Sequence, residues 1–249
     1  MEIIKLFKVG LILFSGGFIQ SSSGFGFGLF ALPLLLFLDI RFPEAVMIVI
    51  IGSALQKVMG VRYFRNVINW REIRPLVISG LLVLPLGIFL MQRVTAMNTP
   101  YIKLIVGILI LILLILRWAG IAGKSKGVRK GWGIAAGSLS GLLNGFANIG
   151  GPPVVLWVLS HNWDNKKMRA TIIALSMFFV PFQISIMLFL FGSTVLNALL
   201  YSLILSPFVF AGSWAGLKAG DRISKQKLSV YMQVLLLIIA VSSILKPLM

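Results

Sequence analysis

Long runs of apolar residues, separated by short polar loops, fill almost the whole chain. We predict ten apolar segments, at 3–19, 24–38, 44–61, 75–91, 101–117, 131–146, 150–160, 170–191, 196–217 and 229–246. A helix needs about 20 apolar residues to cross a bilayer. The second and seventh segments are short for that, so each either crosses fully or forms half of a re-entrant hairpin. The pattern predicts an all-α integral membrane protein with a single membrane domain, 1–249.

Two glycine-containing stretches break the apolar pattern. The first, 21–33, is SSSGFGFGLFALP, and the second, 144–153, is NGFANIGGPP. A helix broken inside a membrane frees backbone groups that lipid cannot satisfy, so such breaks occur inside protein or beside a polar cavity. A new helix N-terminus suits an anion, and Pro152 and Pro153 fit the first turn of one. Close helix packing through small residues is the alternative for either motif alone. Two motifs with polar neighbours favour a substrate site.

The two breaks correspond at an offset of about 124 residues. Gly24 aligns with Asn148, Gly26 with Gly150, and Gln20 with Asn144. We therefore predict an N-terminal repeat, 1–122, a basic cytoplasmic linker, 123–130, and a C-terminal repeat, 131–249. Each repeat holds five segments, an odd number, so the second copy is inverted in the membrane. Inverted repeats with broken helices are typical of secondary transporters.

Basic residues assign the two faces of the membrane. Most of the 23 Lys and Arg residues lie in four loops that fall on one face. They are Arg62, Arg65, Arg71, Arg74, Arg117, Lys124, Lys126, Arg129, Lys130, Lys166, Lys167, Arg169, Lys218, Arg222, Lys225 and Lys227. The positive-inside rule makes that face cytoplasmic, which puts both termini on the outer side. Lys5 and Lys8 oppose the rule.

Composition narrows the class of protein. Hydrophobic residues make up 59% of the chain and charged residues 12%, against about 25% charged in soluble domains. The net charge of +17 is explained by cytoplasmic loops, so we expect a lipid bilayer and no nucleic acid as partner. The chain has no cysteine and one histidine, and its six acids lie in or beside loops. We expect no metal, no cofactor and no enzyme activity.

Polar residues at the breaks and inside the segments are the candidate substrate-binding residues. They are Gln20, Ser21, Ser22, Ser23, Gly24, Gly26, Gln56, Lys57, Asn144, Asn148, Gly150, Gly151 and Gln183. Lys57 lies about one turn from a loop, and snorkelling to the surface is the favoured interpretation. If Lys57 faces inward, it is the best candidate for a fixed positive charge. Ser53 and Ser176 occupy corresponding segments and either line a cavity or bond back to their own helices.

The motifs resemble the TauE/SafE sulfite exporter family over essentially the whole chain. The resemblance rests on SSGFGFGLFALP, ANIGGPPVVLW, RFPEAV and NKKMRAT. It implies a multi-pass permease in the plasma membrane of a prokaryote, with a small sulfur-containing anion such as sulfite, sulfoacetate or isethionate as substrate. We expect that anion to bind where the two breaks meet, and one half to rock against the other. A passive anion channel and a non-transport assembly or sensor subunit remain alternatives, and a homo-oligomer remains possible.

Overall fold

The computed structural model describes residues 3–118, 130–161, 163–222 and 225–245. All regular structure in these ranges is helical, as the apolar pattern predicts. The eleven helices of these ranges are α1 (Ile3–Ser23), α2 (Phe27–Phe37), α3 (Phe42–Phe64), α4 (Trp70–Thr95), α5 (Thr99–Trp118), α6 (Lys130–Ala147), α7 (Gly151–Leu159), α8 (Asn165–Phe191), α9 (Ser193–Ile204), α10 (Ser206–Arg222) and α11 (Lys225–Leu245). The predicted linker, 123–130, lies outside the described residues apart from Lys130.

Five helices of the described part are long and apolar enough to cross a membrane, namely α1, α3, α4, α5 and α8. Helices α9 and α10 pass the same test together, but a bend of 57° separates them. The apolar segment predicted over 196–217 is therefore present, but it is divided into two helices. Pro207 stands in the first turn of α10, where it lacks an N–H and its ring would clash with a carbonyl of a continuing helix. The protein is an all-α integral membrane protein, and in its described part α9 and α10 form a bent pair.

Polar contacts mark the two ends of the helical bundle. At the first end, Lys103 Nζ lies 3.0 Å from Asp39 Oδ1, and Lys5 lines the same depression as Asp39. At the second end, Lys167 Nζ lies 3.0 Å from Glu72 Oε2. Helices α1 and α5 therefore begin at the first end, and α4 and α8 begin at the second end.

Helices α1 and α2 form a hairpin that opens at the first end, because α2 ends just before Asp39. Helices α6 and α7 form a hairpin that opens at the second end, where a Cβ on Gly133 would lie 3.3 Å from the Trp157 ring. At 1.5 Å per residue, α2 with 11 residues and α7 with 9 are each about half a bilayer long. The two short segments therefore return from the membrane interior and do not cross it.

Glycines join each hairpin to a helix from the other half of the chain. Between α6 and α4 the contacting pairs are Gly137 with Leu76, Gly141 with Gly80, and Gly145 with Leu84. Between α10 and α1 the pairs are Gly212 with Phe14, Gly216 with Phe18, and Gly220 with Ser22. Residue numbers rise together in both sets, so both helix pairs run parallel, and the missing Cβ atoms let the backbones approach closely. An inverted repeat would produce this exchange of partners, although the division into two repeats stays a prediction.

Helix α3 runs through the centre of the bundle. Every residue of 45–51 has at most 6% of its surface exposed, and the helix packs against α1, α2, α8, α9 and α10. The second half of α3 carries Ser53, Gln56 and Lys57, which are also buried. This central helix therefore holds polar side chains at the level of the hairpin tips.

Candidate functional site

The tips of the two hairpins meet inside the bundle. A Cβ on Gly28 would overlap the carbonyl oxygen of Asn148. Gly24 and Gly26 have φ angles of 90° and 104°, and Asn148 has a φ of 54°. Glycine and asparagine adopt this left-handed conformation more readily than other residues. The chain can therefore turn sharply at both breaks and bring the two turns into contact.

A small polar cavity lies between the tips. Its volume is about 30 Å³, enough for roughly two or three groups the size of a water molecule. None of the described residues in its wall is acidic. The predicted site residues in its wall are Gln20, Gly24, Gly26, Lys57, Asn144, Asn148 and Gly151. Ser53 and Ser176 line it as well, so the structure brings both halves of the sequence prediction to one place.

Lys57 brings an amino group to this cavity. Only 2% of its surface is exposed, so the snorkelling interpretation is wrong. Its Nζ donates a hydrogen bond to Ser53 Oγ at 3.2 Å. The ion pairs found among the described residues, Lys103 with Asp39 and Lys167 with Glu72, lie at the ends of the bundle. The ammonium group therefore faces a hydroxyl and the cavity, where an anion would compensate its charge.

Asn148 connects the second hairpin tip to α3. Its Nδ2 donates to Ser53 Oγ at 2.9 Å and to the Val49 carbonyl oxygen at 3.3 Å. Its Oδ1 is buried and makes no protein hydrogen bond. A buried amide oxygen without a partner loses its hydration without compensation. The amide is therefore fixed on one side and has hydrogen-bonding capacity left on the other.

The N-termini of two helices also reach the cavity. Helix α2 begins after Gly26 and α7 begins after Gly150, and neither has a side-chain cap. The first turn of a helix carries N–H groups without intrahelical partners and a partial positive charge. Phe27, Gly28 and Leu29 of α2, and Gly151 of α7, line the cavity. Both helices therefore present the end that favours an anion.

The opposite ends, the C-termini of α1 and α6, are covered by side chains of α8. Arg169 Nη2 donates to the Ser21 carbonyl oxygen at 2.6 Å, and Gln183 Nε2 donates to the Asn144 carbonyl oxygen at 2.7 Å. A helix C-terminus carries partial negative charge on its free carbonyls. Since these two donors occupy carbonyls there, less of that negative charge opposes the helix N-termini.

Six predicted site residues lie outside the cavity wall and hold the tips in place. Ser22 and Ser23 bond back to the Ile19 carbonyl oxygen. Gln56 Nε2 donates to Ser21 Oγ at 3.1 Å. The carbonyl of Gly150 accepts from Ser140 Oγ at 2.7 Å, and Gln183 bonds Asn144 as described above. In the structure these six residues support the site and do not face its cavity.

Sequence analysis missed Arg169 and Ser140. Arg169 was counted among the loop residues, yet it is 2% exposed and its guanidinium lies 4.9 Å from the centre of the Phe64 ring. The sequence contains a signal for the buried position of Arg169. Asp164 is a helix N-cap residue, and its side chain accepts from the Lys167 N–H. Starting α8 directly after Asp164 puts Arg169 one turn inside the helix and not in the loop.

Polar residues on α3 in the first half and on α8 in the second half make similar hydrogen bonds. Gln56 of α3 bonds the end of α1, and Gln183 of α8 bonds the end of α6. Ser53 and Ser176 both line the cavity, and each bonds back to a carbonyl three residues earlier, at 3.1 Å in both cases. This correspondence supports the predicted repeat. No cluster of His and acidic side chains that could hold a metal ion occurs in the part of the chain that the structure describes.

Comparison with known proteins gives the family. The chain matches sulfite exporter TauE/SafE over residues 9–243, a range that includes both hairpins, α3 and α8. No curated protein and no solved structure matches the chain. Proteins of this description are membrane transporters of the sulfite-exporter type. This multi-pass membrane protein belongs to the sulfite exporter TauE/SafE family.

Proposed function

We propose that the chain is a secondary transporter of a small sulfur-containing anion, sulfite or an organosulfonate, which binds in the cavity between the hairpin tips. One observation carries this proposal. Lys57 and the N-termini of α2 and α7 converge on a single buried cavity whose described wall holds no acid. Few arrangements other than anion binding use a buried cation beside two helix N-termini.

The donors suit an oxyanion with several oxygen atoms. Lys57 supplies one full charge and the first turn of α2 supplies backbone N–H groups. Asn144 adds a neutral amide. Charge-assisted hydrogen bonds are roughly twice as strong as neutral ones. The three oxygens of a sulfite or sulfonate group can thus be shared between a cation, a helix terminus and an amide.

The size of the cavity limits the anion. A volume of about 30 Å³ corresponds to two or three water-sized groups. A single oxyanion group matches that space, and a bulky carboxylate or a phosphate ester exceeds it. The cavity therefore suits a single small oxyanion group, of which sulfite is one example.

Transport requires the cavity to open to each end of the bundle in turn. The hairpins enter from opposite ends, so movement of one hairpin relative to the other opens the cavity to one end at a time. We place the protein in the plasma membrane of a prokaryote, with the second end, which carries Arg65, Arg71, Lys166 and Lys167, facing the cytoplasm. Both termini then face outward, although residues 1–2 and 246–249 lie outside the described part.

Counterflow in proteoliposomes tests this function. Vesicles loaded with unlabelled sulfite or methanesulfonate should take up the labelled anion in a saturable way. Asn144→Ala should reduce that uptake at least about tenfold, since it removes an amide donor from the cavity wall. Asn148→Leu should reduce it similarly, because it removes the amide that holds the second hairpin tip on Ser53 and Val49. Asn66→Leu, which alters an exposed loop residue, is the matched control and should leave uptake unchanged.

Two results would contradict the proposal. Uptake that is the same in both asparagine variants and in the wild type would remove the site from the cavity. Single-channel currents without counterflow would make the protein a passive anion channel that uses the same residues.

A further inference from the structure

A second cavity lies directly behind Phe25. Phe25 and Leu29 line both this cavity and the polar one. Its other walls come from α5, α6, α7 and α11 and include Leu113, Pro153 and Leu236. The two cavities therefore share a wall made of two side chains.

The second cavity is apolar. Among the described residues that line it, Gln233 alone is polar, and its Oε1 accepts from Trp118 Nε1 at 2.8 Å. Leu29 and Leu236 are 3% and 4% exposed, so much of the wall is interior and not lipid-facing surface. The volume of about 40 Å³ admits roughly three groups of the size of water or methyl.

Phe25 stands at the junction in an unusual piece of backbone. It lies between Gly24 and Gly26, both with left-handed φ angles. A Cβ on Gly151 would lie 3.0 Å from Phe25 Cβ, so the two hairpin tips touch at this residue. Ser23 Oγ donates to the Phe25 carbonyl oxygen at 2.7 Å and holds this backbone in place. The partition between the cavities is therefore two side chains, of which Phe25 stands on a turn between two glycines.

We propose that the apolar cavity receives the hydrocarbon substituent of a short-chain alkanesulfonate whose sulfonate group occupies the polar cavity. This inference rests on the proposed function and narrows its substrate class. The shared wall of Phe25 and Leu29 places the apolar space one layer of side chains away from an anion held beside Lys57, so a tail on that anion reaches it when the Phe25 ring moves aside.

The volume and the chemistry of the wall set the order of preference. Each buried methylene should raise affinity about fourfold, and room for about three such groups should end the gain near propanesulfonate or butanesulfonate. A hydroxyl or carboxylate at the far end of the ligand would be buried without a partner, and a hydroxyl should weaken binding roughly five- to hundredfold. Sulfite should bind more weakly than propanesulfonate.

Binding to the full chain in lipid nanodiscs tests the inference. The series is sulfite and methane-, ethane-, propane-, butane- and hexanesulfonate, with 2-hydroxyethanesulfonate as the polar-ended member. The filling variant is Leu139→Trp, at a cavity residue that is 44% exposed and so tolerates a larger side chain. The matched control is Leu82→Trp, the same substitution at a residue that is 78% exposed on α4.

In the wild type and in Leu82→Trp, affinity should rise about fourfold with each added methylene, up to about three carbons. Leu139→Trp should bind methanesulfonate as the wild type does and lose this rise. Leu113→Ala, which enlarges the cavity, should move the optimum to a longer chain and provides a second measurement if Leu139→Trp does not fold.

Three outcomes would overturn the inference. Equal affinity along the series in the wild type shows that no tail site exists, while the proposed function stands. If affinity rises equally with chain length in the wild type and in folded Leu139→Trp, the tail lies among the lipid chains of the bilayer and not in this cavity. Absence of binding by every sulfonate and by sulfite removes the proposed function together with this inference.

Discussion

The two hairpin tips share a shape and differ in charge. The first tip is held by Arg169 at the Ser21 carbonyl and lines the same cavity as Lys57. The second tip is held by neutral groups, with Gln183 at the Asn144 carbonyl and Ser140 at the Gly150 carbonyl. Corresponding geometry can therefore be built with or without ions. Of the two α8 side chains that bond the tips, only Arg169 at the first tip is charged.

The N-termini of α2 and α7 also differ, in the number of backbone N–H groups that they offer. Helix α2 begins with three residues that all have an N–H group, Phe27, Gly28 and Leu29. Helix α7 has Pro152 and Pro153 directly after Gly151, and proline has no N–H. The first tip therefore offers more donors to an anion, and the second offers a stiffer turn. We infer that the first tip holds the anion and the second fixes its position.

Removal of Lys57 should have the largest effect of these changes on anion binding. Lys57→Met should weaken sulfite binding at least about 30-fold, because truncating a buried charge that pairs with a ligand costs about 2–5 kcal/mol. Binding should be measured by calorimetry in nanodiscs. Lys57→Arg should retain part of the affinity, and Lys103→Met, at the first end of the bundle, should leave it unchanged. Wild-type affinity in Lys57→Met would show that the anion does not bind beside Lys57.

The two α8 side chains that bond the hairpin tips, Arg169 and Gln183, should show the next largest difference, which is in their effect on stability. Arg169→Gln removes a hydrogen bond from a charged group, worth about 1.5–3 kcal/mol, whereas Gln183→Leu removes a neutral one, worth about 0.5–1.5 kcal/mol. The unfolding midpoint in detergent should therefore fall further for Arg169→Gln. Arg93→Gln, at an exposed residue, serves as the control for loss of an arginine. A larger fall for Gln183→Leu would mean that the Arg169 side chain is not what stabilises the first tip.

The two corresponding serines should show the smallest difference. Ser53 Oγ accepts hydrogen bonds from Lys57 and Asn148, while Ser176 Oγ bonds back to its own helix. Ser53→Ala should lower anion affinity about fivefold, equivalent to about 1 kcal/mol, and Ser176→Ala should change it less than twofold. Titration of both variants with sulfite checks this. Equal losses would mean that the halves contribute alike and that the charge difference between the tips is irrelevant to binding.

Sequence patterns predicted much of the fold because they depend on local chemistry. Apolar runs indicate helices that lie in a membrane. Gly24 and Gly26 indicate left-handed turns, which other residues adopt poorly. The direction of a side chain on a helix depends on which helices pack around it. Snorkelling is the favoured interpretation of Lys57 for this reason, although the face of α3 that carries Lys57 is buried. The kink at Pro207 was missed because hydropathy is uniform across it.

The supporting residues were harder to separate from the cavity wall. Ser21, Gln56 and Gln183 are polar and buried, as predicted for a site, yet they point at backbone carbonyls or at each other. A polar residue in an apolar segment indicates a buried partner. It does not say whether that partner is a ligand or the end of a neighbouring helix, since both satisfy the same hydrogen bond.

The parallel pairing of α1 with α10 has a consequence for the time course of synthesis. Phe14 packs against Gly212 and Phe18 against Gly216. At roughly 5–20 residues per second, about 10 to 40 s pass between the synthesis of Phe14 and that of Gly212. Helix α1 thus waits for most of the sequence that follows it before α10 arrives. Until then the side of α1 that α10 covers faces lipid or the insertion machinery, so a chain that stops before α10 leaves this side exposed to quality control.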